Sequence, residues 1–124
     1  MTQDARLHSS AEFRLVYACG KRYDAPLMTV FVRRNTINQH RLGITASRRI
    51  ARRSVDRNRL KRLLRESIRL NRDELSDLRA TYDWVLNAKR SLLPLKAAAA
   101  LQEFRGIIIR VKRDEFGGRA PSEQ

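Results

Sequence analysis

Between Arg41 and Arg72 the chain carries twelve cations: Arg41, Arg48, Arg49, Arg52, Arg53, Arg57, Arg59, Lys61, Arg62, Arg65, Arg69 and Arg72. Only two anions, Asp56 and Glu66, stand among them. This window therefore holds +10 of the +14 formal charge of the whole 124-residue chain. Charge at this density repels itself unless a polyanion faces it. All the cations but Lys61 are arginines, whose planar guanidinium forks onto two phosphate oxygens at once, as an ammonium cannot. A short charge run is usually a solvated helix face. Here almost no acids are interleaved to pair with the arginines, so the chemistry indicated is binding of a phosphate backbone.

An element must present these cations on one side. On a wheel of about 100° per residue, Leu60, Leu63, Leu64, Ser67, Ile68 and Asn71 share one face of a helix. Asn58, Lys61, Arg62, Arg65, Arg69 and Arg72 fall on another face, and Arg57 sits near the apolar border. Ser54 or Asp56 is expected to cap the start, because either side chain can accept from a free backbone N–H.

The run Asp56-Arg57-Asn58-Arg59-Leu60-Lys61-Arg62-Leu63-Leu64-Arg65-Glu66 resembles the R-N-R motif of the protein subunit of bacterial ribonuclease P. Arg41-Leu42-Gly43-Ile44-Thr45-Ala46-Ser47-Arg48-Arg49 is similar to that family's strand leading into the motif. Tyr82-Asp83-Trp84-Val85-Leu86-Asn87-Ala88-Lys89-Arg90 is similar to its last strand. The resemblance spans roughly residues 9 to 112 and keeps the family's order of elements. The link departs from it: where many members have Gly-Asn-Ala, this chain has Ala51-Arg52-Arg53-Ser54.

The rest of the chain supplies a scaffold. Met1 to His8 reads as a frayed start. Ser9-Ser10-Ala11-Glu12 is a capping-box pattern opening a helix that should close at Gly20 in a left-handed cap, with Phe13, Val16 and Tyr17 on one face. A short strand is expected around Arg22–Ala25, and Leu27–Arg34 alternates as a strand, with Met28, Val30 and Val32 toward the core. A polar loop, Asn35 to His40, joins it to the strand Arg41–Ser47, with His40 expected to be solvated. Gly43, Thr45 and Ser47 make a small polar face that something could approach closely. The last strand is Tyr82–Lys89. Leu93-Pro94 should start a final helix striped by Ala97, Leu101, Phe104, Ile108 and Val111. One domain over residues 1–113 is expected, followed by a disordered tail over 114–124.

The order αβββαβα calls for an α+β sandwich, one central sheet covered by helices. The resemblance adds a left-handed strand–helix–strand crossover, against the usual rule. It implies that Arg48, Arg49, Arg52, Arg53, Arg57, Asn58, Arg59, Lys61, Arg62 and Arg65 dock on the catalytic RNA subunit. Some of these could serve the fold: Arg57 by bracing the loop before the helix, Asn58 by capping backbone groups. The resemblance also implies a cleft for the 5′ leader of precursor tRNA, at Phe13, Tyr17, Thr29 and Phe31. There aromatic rings would stack on unpaired bases; their ordinary alternative is that Phe13 and Phe31 pack on each other.

No pair of carboxylates, Ser/His/Asp set or activated Cys suggests a protein catalyst, and no spacing suggests a protein metal site. The resemblance gives the endonucleolytic step to the RNA, which would hold most of the Mg²⁺. No protein partner is required. The lone Cys19 excludes an internal disulfide framework and fits a reducing compartment, the cytoplasm. The longest apolar run, Ala97–Leu101, is too short for a signal or membrane segment, and the basic helix has no Trp or Phe anchor. A structural RNA-binding protein, such as a ribosomal one, fits the composition equally well. An RNA-independent nuclease lacks its acids, and a DNA-binding module lacks a recognisable helix-turn-helix.

Overall fold

A computed structural model describes residues 5–121 of the chain. The elements run β1 (Ala5–Arg6), α1 (Ser10–Cys19), β2 (Lys21–Asp24), β3 (Met28–Arg34), β4 (Arg41–Thr45), α2 (Ser54–Leu70), α3 (Arg72–Ser76), β5 (Tyr82–Ala88) and α4 (Ala97–Gly117), with a 3-10 turn at Arg90–Leu92. The sheet order is β1-β4-β5-β3-β2. β2, β3 and β5 are antiparallel neighbours, whereas β4 runs parallel to β5 and β1 parallel to β4. Parallel neighbours need a crossover, and α2 and α3 supply the one between β4 and β5.

Alternation along the strands gives each face of the sheet its own partner. Val30, Val32, Trp84, Leu86 and Leu42 belong to the main core with Leu60, Leu63 and Leu64 of α2 and Phe104, Ile107, Ile108 and Val111 of α4. The Trp84 and Phe104 rings meet edge to face, 5.7 Å between centroids. On the other face Leu7, Val16 and Val85 form a small cluster under α1, flanked by Phe13 and Phe31. The expected apolar stripe of α2 is therefore buried, Ser67 and Asn71 included, except that Ile68 is only half-buried. Asn71 Nδ2 donates to the carbonyls of Ser67 and Leu101, tying α2 to α4.

Register arranges the α1 face in three rows. Arg33, Asp83 and Arg41 stand abreast, then Arg22, Phe31, Val85 and Gly43, then Asp24, Thr29, Asn87 and Thr45. The first row is charged, the second is apolar apart from Arg22 at its β2 edge, and the third is polar with Asp24 at its β2 edge. In the first, Asp83 is 1% exposed and accepts from Arg41 Nε at 2.8 Å and Nη2 at 2.6 Å, and from Asn35 Nδ2 at 2.8 Å. Arg41 Nη1 reaches on to Glu12 of α1 at 2.8 Å. The backbone N–H groups of Ser9 and His8 hold the Glu12 carboxyl below its ordinary pKa, with Arg41 adding to the effect. This chain of contacts fastens the start of α1 to the sheet.

Several expectations are corrected. The start is not frayed from residue 5 onward, because β1 pairs with β4 and Leu7 is buried; Met1 to Asp4 lie outside the described residues. Gly20 is not left-handed: its φ is −79°, and a Cβ there would sit 2.4 Å from the Val16 carbonyl oxygen, so close approach selects glycine. Neither Ser54 nor Asp56 caps α2; Arg53 is the N-cap and makes no side-chain cap bond. Pro94 precedes α4 by three residues rather than opening it.

His40 is buried, not solvated. Its Nδ1 accepts from the Tyr82 backbone N–H and from Trp84 Nε1, both at 3.1 Å, so Nε2 carries the proton and donates to the Leu75 carbonyl at 3.0 Å. The first residues of the expected tail belong to the fold. Asp114 accepts from Lys21 Nζ and Tyr23 Oη, and Glu115 from the Arg79 and Ala80 backbone and Tyr82 Oη. Burial, reinforced by these carboxylates, raises both tyrosine hydroxyls well above their ordinary pKa. Ser122 to Gln124 lie outside the described residues.

Candidate nucleic-acid interface

The arginines of the basic window divide by what their guanidinium groups already hold. Arg57 Nη1 donates to the carbonyls of Ala51 at 3.0 Å and Arg52 at 2.7 Å, bracing the link as its place on the wheel suggested. Arg59 donates through Nε to Leu93 O at 2.8 Å and through Nη2 to Leu95 O at 2.7 Å, which pins α2 to the segment before α4. Arg69 pairs with Glu66, and Arg53 lies 3.9 Å from Asp56.

Arg48, Arg49, Arg52, Arg62 and Arg65 are exposed. No hydrogen bond or ion pair within the described residues engages their side chains, nor that of Lys61. These six form the free cationic surface of the link and of α2. Asn58 is exposed and makes no side-chain hydrogen bond either, so a backbone-capping role does not appear.

Three of the four residues expected around a leader cleft come together. Tyr17, Thr29 and Phe31 line a cleft of about 550 Å³ with Arg22, Thr45, Ser47, Ile50, Asn87, Ala88 and Lys89. The Tyr17 and Phe31 rings meet edge to face at 5.0 Å, and Tyr17 Oη donates to Asn87 Oδ1 at 2.8 Å. Tyr17 is 38% exposed. Phe13 is elsewhere. Its ring lies over Gly43, where a Cβ would be 2.5 Å from Cζ, and it lines a separate hollow of about 440 Å³ with Arg6, Arg65, Ile68, Arg69 and Arg72. The close approach anticipated at Gly43 is thus made by the protein's own Phe13.

Sequence reading missed Arg22, Asn87 and Lys89. Arg22 and Lys89 flank Asp24, Lys89 at 2.9 Å; Lys89 and the Thr29 hydroxyl hold the Asp24 carboxyl below its ordinary pKa, with Arg22 adding to the effect. Only the cross-strand register places these side chains at the cleft. Ser47 and Ile50 line its wall and belong to the same link as Arg48 and Arg49, so the aromatic cleft opens directly onto the basic surface.

The model of the family described as "Ribonuclease P" matches residues 1–112. The chain belongs to the ribonuclease P protein family. It is 39% identical over 89 residues to a ribonuclease P protein component of Clostridium botulinum strain Loch Maree, covering 72% of this chain and 78% of that one. It is 39% identical over 97 residues to that of Methylococcus capsulatus, covering 78% and 73%. The solved ribonuclease P protein of Staphylococcus aureus superposes with a TM-score of 0.74 at 21% identity, over 89% of this chain and 97% of that one. That of Thermotoga maritima gives 0.72 at 24%, over 86% and 96%.

Membership of the ribonuclease P family brings tRNA processing and RNA binding with it. Within the family's R-N-R run, the structure separates arginines that hold the fold from arginines that face outward. Replacing Arg59 with alanine removes two charge-assisted bonds and is expected to cost about 2–3 kcal/mol of stability. Arg62→Ala with Arg65→Ala should stay within about 0.5 kcal/mol. Urea unfolding of the RNA-free variants measures both; equal losses would mean that the division is wrong.

Proposed function

We propose that this chain, with a catalytic RNA, removes the 5′ leader of precursor tRNA. The free cationic surface of the link and α2 docks on the RNA subunit. The cleft of Tyr17, Thr29 and Phe31 takes the single-stranded leader. The observation that carries this reading is the continuity of the two: phosphate-binding side chains without protein partners run into a cleft whose walls are aromatic rings and hydroxyls. Base stacking on such rings tolerates many sequences, as a leader that varies between tRNAs requires.

The chain's own part is to bind and orient. Magnesium supplies a hydroxide nucleophile and stabilises the leaving oxygen when bound in phosphodiester hydrolysis. The described residues do not fit it: they contain no group of three His, Cys, Asp or Glu able to hold a metal ion, and the two acids of the basic window are each engaged by an arginine. We therefore assign Mg²⁺ and the cleavage step to the RNA subunit. We place the protein in the cytoplasm, on the strength of its lone cysteine; no helix among the described residues is long and apolar enough to cross a membrane.

The test uses mature tRNA as the control, because it lacks the leader. In the reconstituted holoenzyme, Tyr17→Ala should weaken binding of precursor tRNA by roughly 1–3 kcal/mol, the value of one lost stack. Binding of mature tRNA should hardly change. Dissociation constants for both ligands at fixed salt and metal decide it, and equal losses would show that Tyr17 acts through the fold.

A further inference from the structure

Arg65, Ile68, Arg69 and Arg72 recur at the i, i+3, i+4 and i+7 spacing of one helix face. α2 ends at Leu70, yet Arg72 keeps to that side, because all four line the hollow of about 440 Å³. Its wall is apolar, made by Leu7, Phe13, Leu42, Ile44 and Ile68, and Arg6 of β1 completes a rim of four arginines. No lining residue is acidic. Arg69 pairs with Glu66, whereas the side chains of Arg6, Arg65 and Arg72 have no hydrogen bond or ion pair among the described residues. The sheet edge adds backbone groups. Leu7 N–H donates to the Leu42 carbonyl at 3.1 Å, and β1 pairs with β4 no further along than Leu42. Alternate residues of a strand turn their peptide groups to the same edge. The N–H and C=O of Ile44 therefore face the edge that β1 leaves open. An apolar wall, a donor beside an acceptor and a cationic rim together match a nucleotide, with its flat base, polar base edge and phosphate.

We propose that this hollow receives one unpaired nucleotide of the RNA subunit, its base against the apolar wall and its flanking phosphates on Arg6, Arg65 and Arg72. This rests on the chain docking on a catalytic RNA. Double-helical RNA offers phosphates to the rim but keeps its bases stacked, so the apolar wall would stay wet. An unstacked base covers it. The RNA subunit is the source because Arg65 belongs both to the free cationic face of α2 and to the rim, so RNA lying on that face reaches the hollow. The leader cleft is a separate place, since the two share no lining residue. Charge along the link and α2 gives affinity for any RNA backbone. The hollow adds a fixed point, which sets where along the RNA the protein sits.

The test is made in the reconstituted holoenzyme without precursor tRNA. A photoreactive p-benzoylphenylalanine in place of Arg6, which is exposed and outside α2, should cross-link to a single unpaired nucleotide of the RNA subunit. Replacing that nucleotide with an abasic one should weaken binding of the wild-type protein roughly five- to hundredfold, the range for one stacked base. Ile68→Ala should weaken binding of the intact RNA but add little to the abasic loss, because both changes remove the same contact. Arg6→Ala with Arg72→Ala should weaken binding of both RNAs alike, since the phosphates remain. Cross-links spread over helical RNA, or found only on the leader once precursor tRNA is added, overturn the proposal. So does an abasic RNA that binds as tightly as the intact one, or an Ile68→Ala loss that simply adds to the abasic loss. If the RNA subunit does not bind the wild-type protein at all, the reading beneath the proposal falls with it. If it binds and the cross-link or the abasic result fails, only the role of the hollow falls.

Discussion

Asp83→Ala is expected to remove about 3–5 kcal/mol of folding stability, although Asp83 touches neither the cleft nor the basic surface. The carboxylate is almost completely buried and accepts from two nitrogens of Arg41 and from Asn35, with Arg33 Nη1 3.7 Å away. Removing it strands guanidinium charge in a partly buried row, which costs more than the intact pair contributes. The loss should also spread, because Arg41 bridges Asp83 to Glu12 and so to the start of α1. α1 carries Tyr17, hence leader binding should weaken along with stability. Urea unfolding of the RNA-free chain measures the first effect. A loss under about 1 kcal/mol would mean that water replaces the carboxylate and that the row is not a closed network. Replacing Asp83 and Arg41 together with apolar residues should recover part of the loss, since no uncompensated charge then remains.

The two helices that cover the core face of the sheet were readable from periodicity, because burying a stripe requires a repeat that residue types reveal. The interior of α2 follows the wheel residue by residue, and Gly43 announced a close approach before its partner was known. What was not readable depends on partners distant in sequence. His40 looks like a loop histidine because Leu75, Tyr82 and Trp84, which it bonds, lie at least 35 residues away. Arg59 looks like its neighbours on the basic face, and only the path of the chain at Leu93 and Leu95 brings two carbonyls to it. β1 is two residues long, too short for any alternation to show. Asp114 and Glu115 read as tail because the glycines after them suggested an end, whereas α4 runs on to deliver both carboxylates to buried tyrosines. Asn87 sits in an apolar run, and its place in the cleft appears only when register sets Thr29 and Thr45 beside it.

Affinity for the RNA subunit should collapse with salt. Six cationic side chains, Arg48, Arg49, Arg52, Lys61, Arg62 and Arg65, have no protein partner to give up on binding. If each neutralises one phosphate, log K should fall against log salt with a slope of roughly −4 to −5. Raising monovalent salt from about 50 to 200 mM would then weaken binding several hundred-fold, a larger change than any single substitution is expected to produce. The partition of the arginines sharpens this. Arg62→Ala with Arg65→Ala removes two phosphate contacts, so the slope should become shallower by roughly 1.5. Arg59→Ala should lower stability and leave the slope where it was, because its guanidinium is bound to Leu93 and Leu95. Titrations of labelled RNA subunit at several salt concentrations and constant Mg²⁺ give all three slopes. A nearly flat dependence would show that hydrogen bonds or stacking, not charge, dominate the contact. A slope for Arg59→Ala as shallow as that of the double variant would show that RNA displaces the fold's own carbonyls from Arg59, and that the arginines of the R-N-R run act as one set.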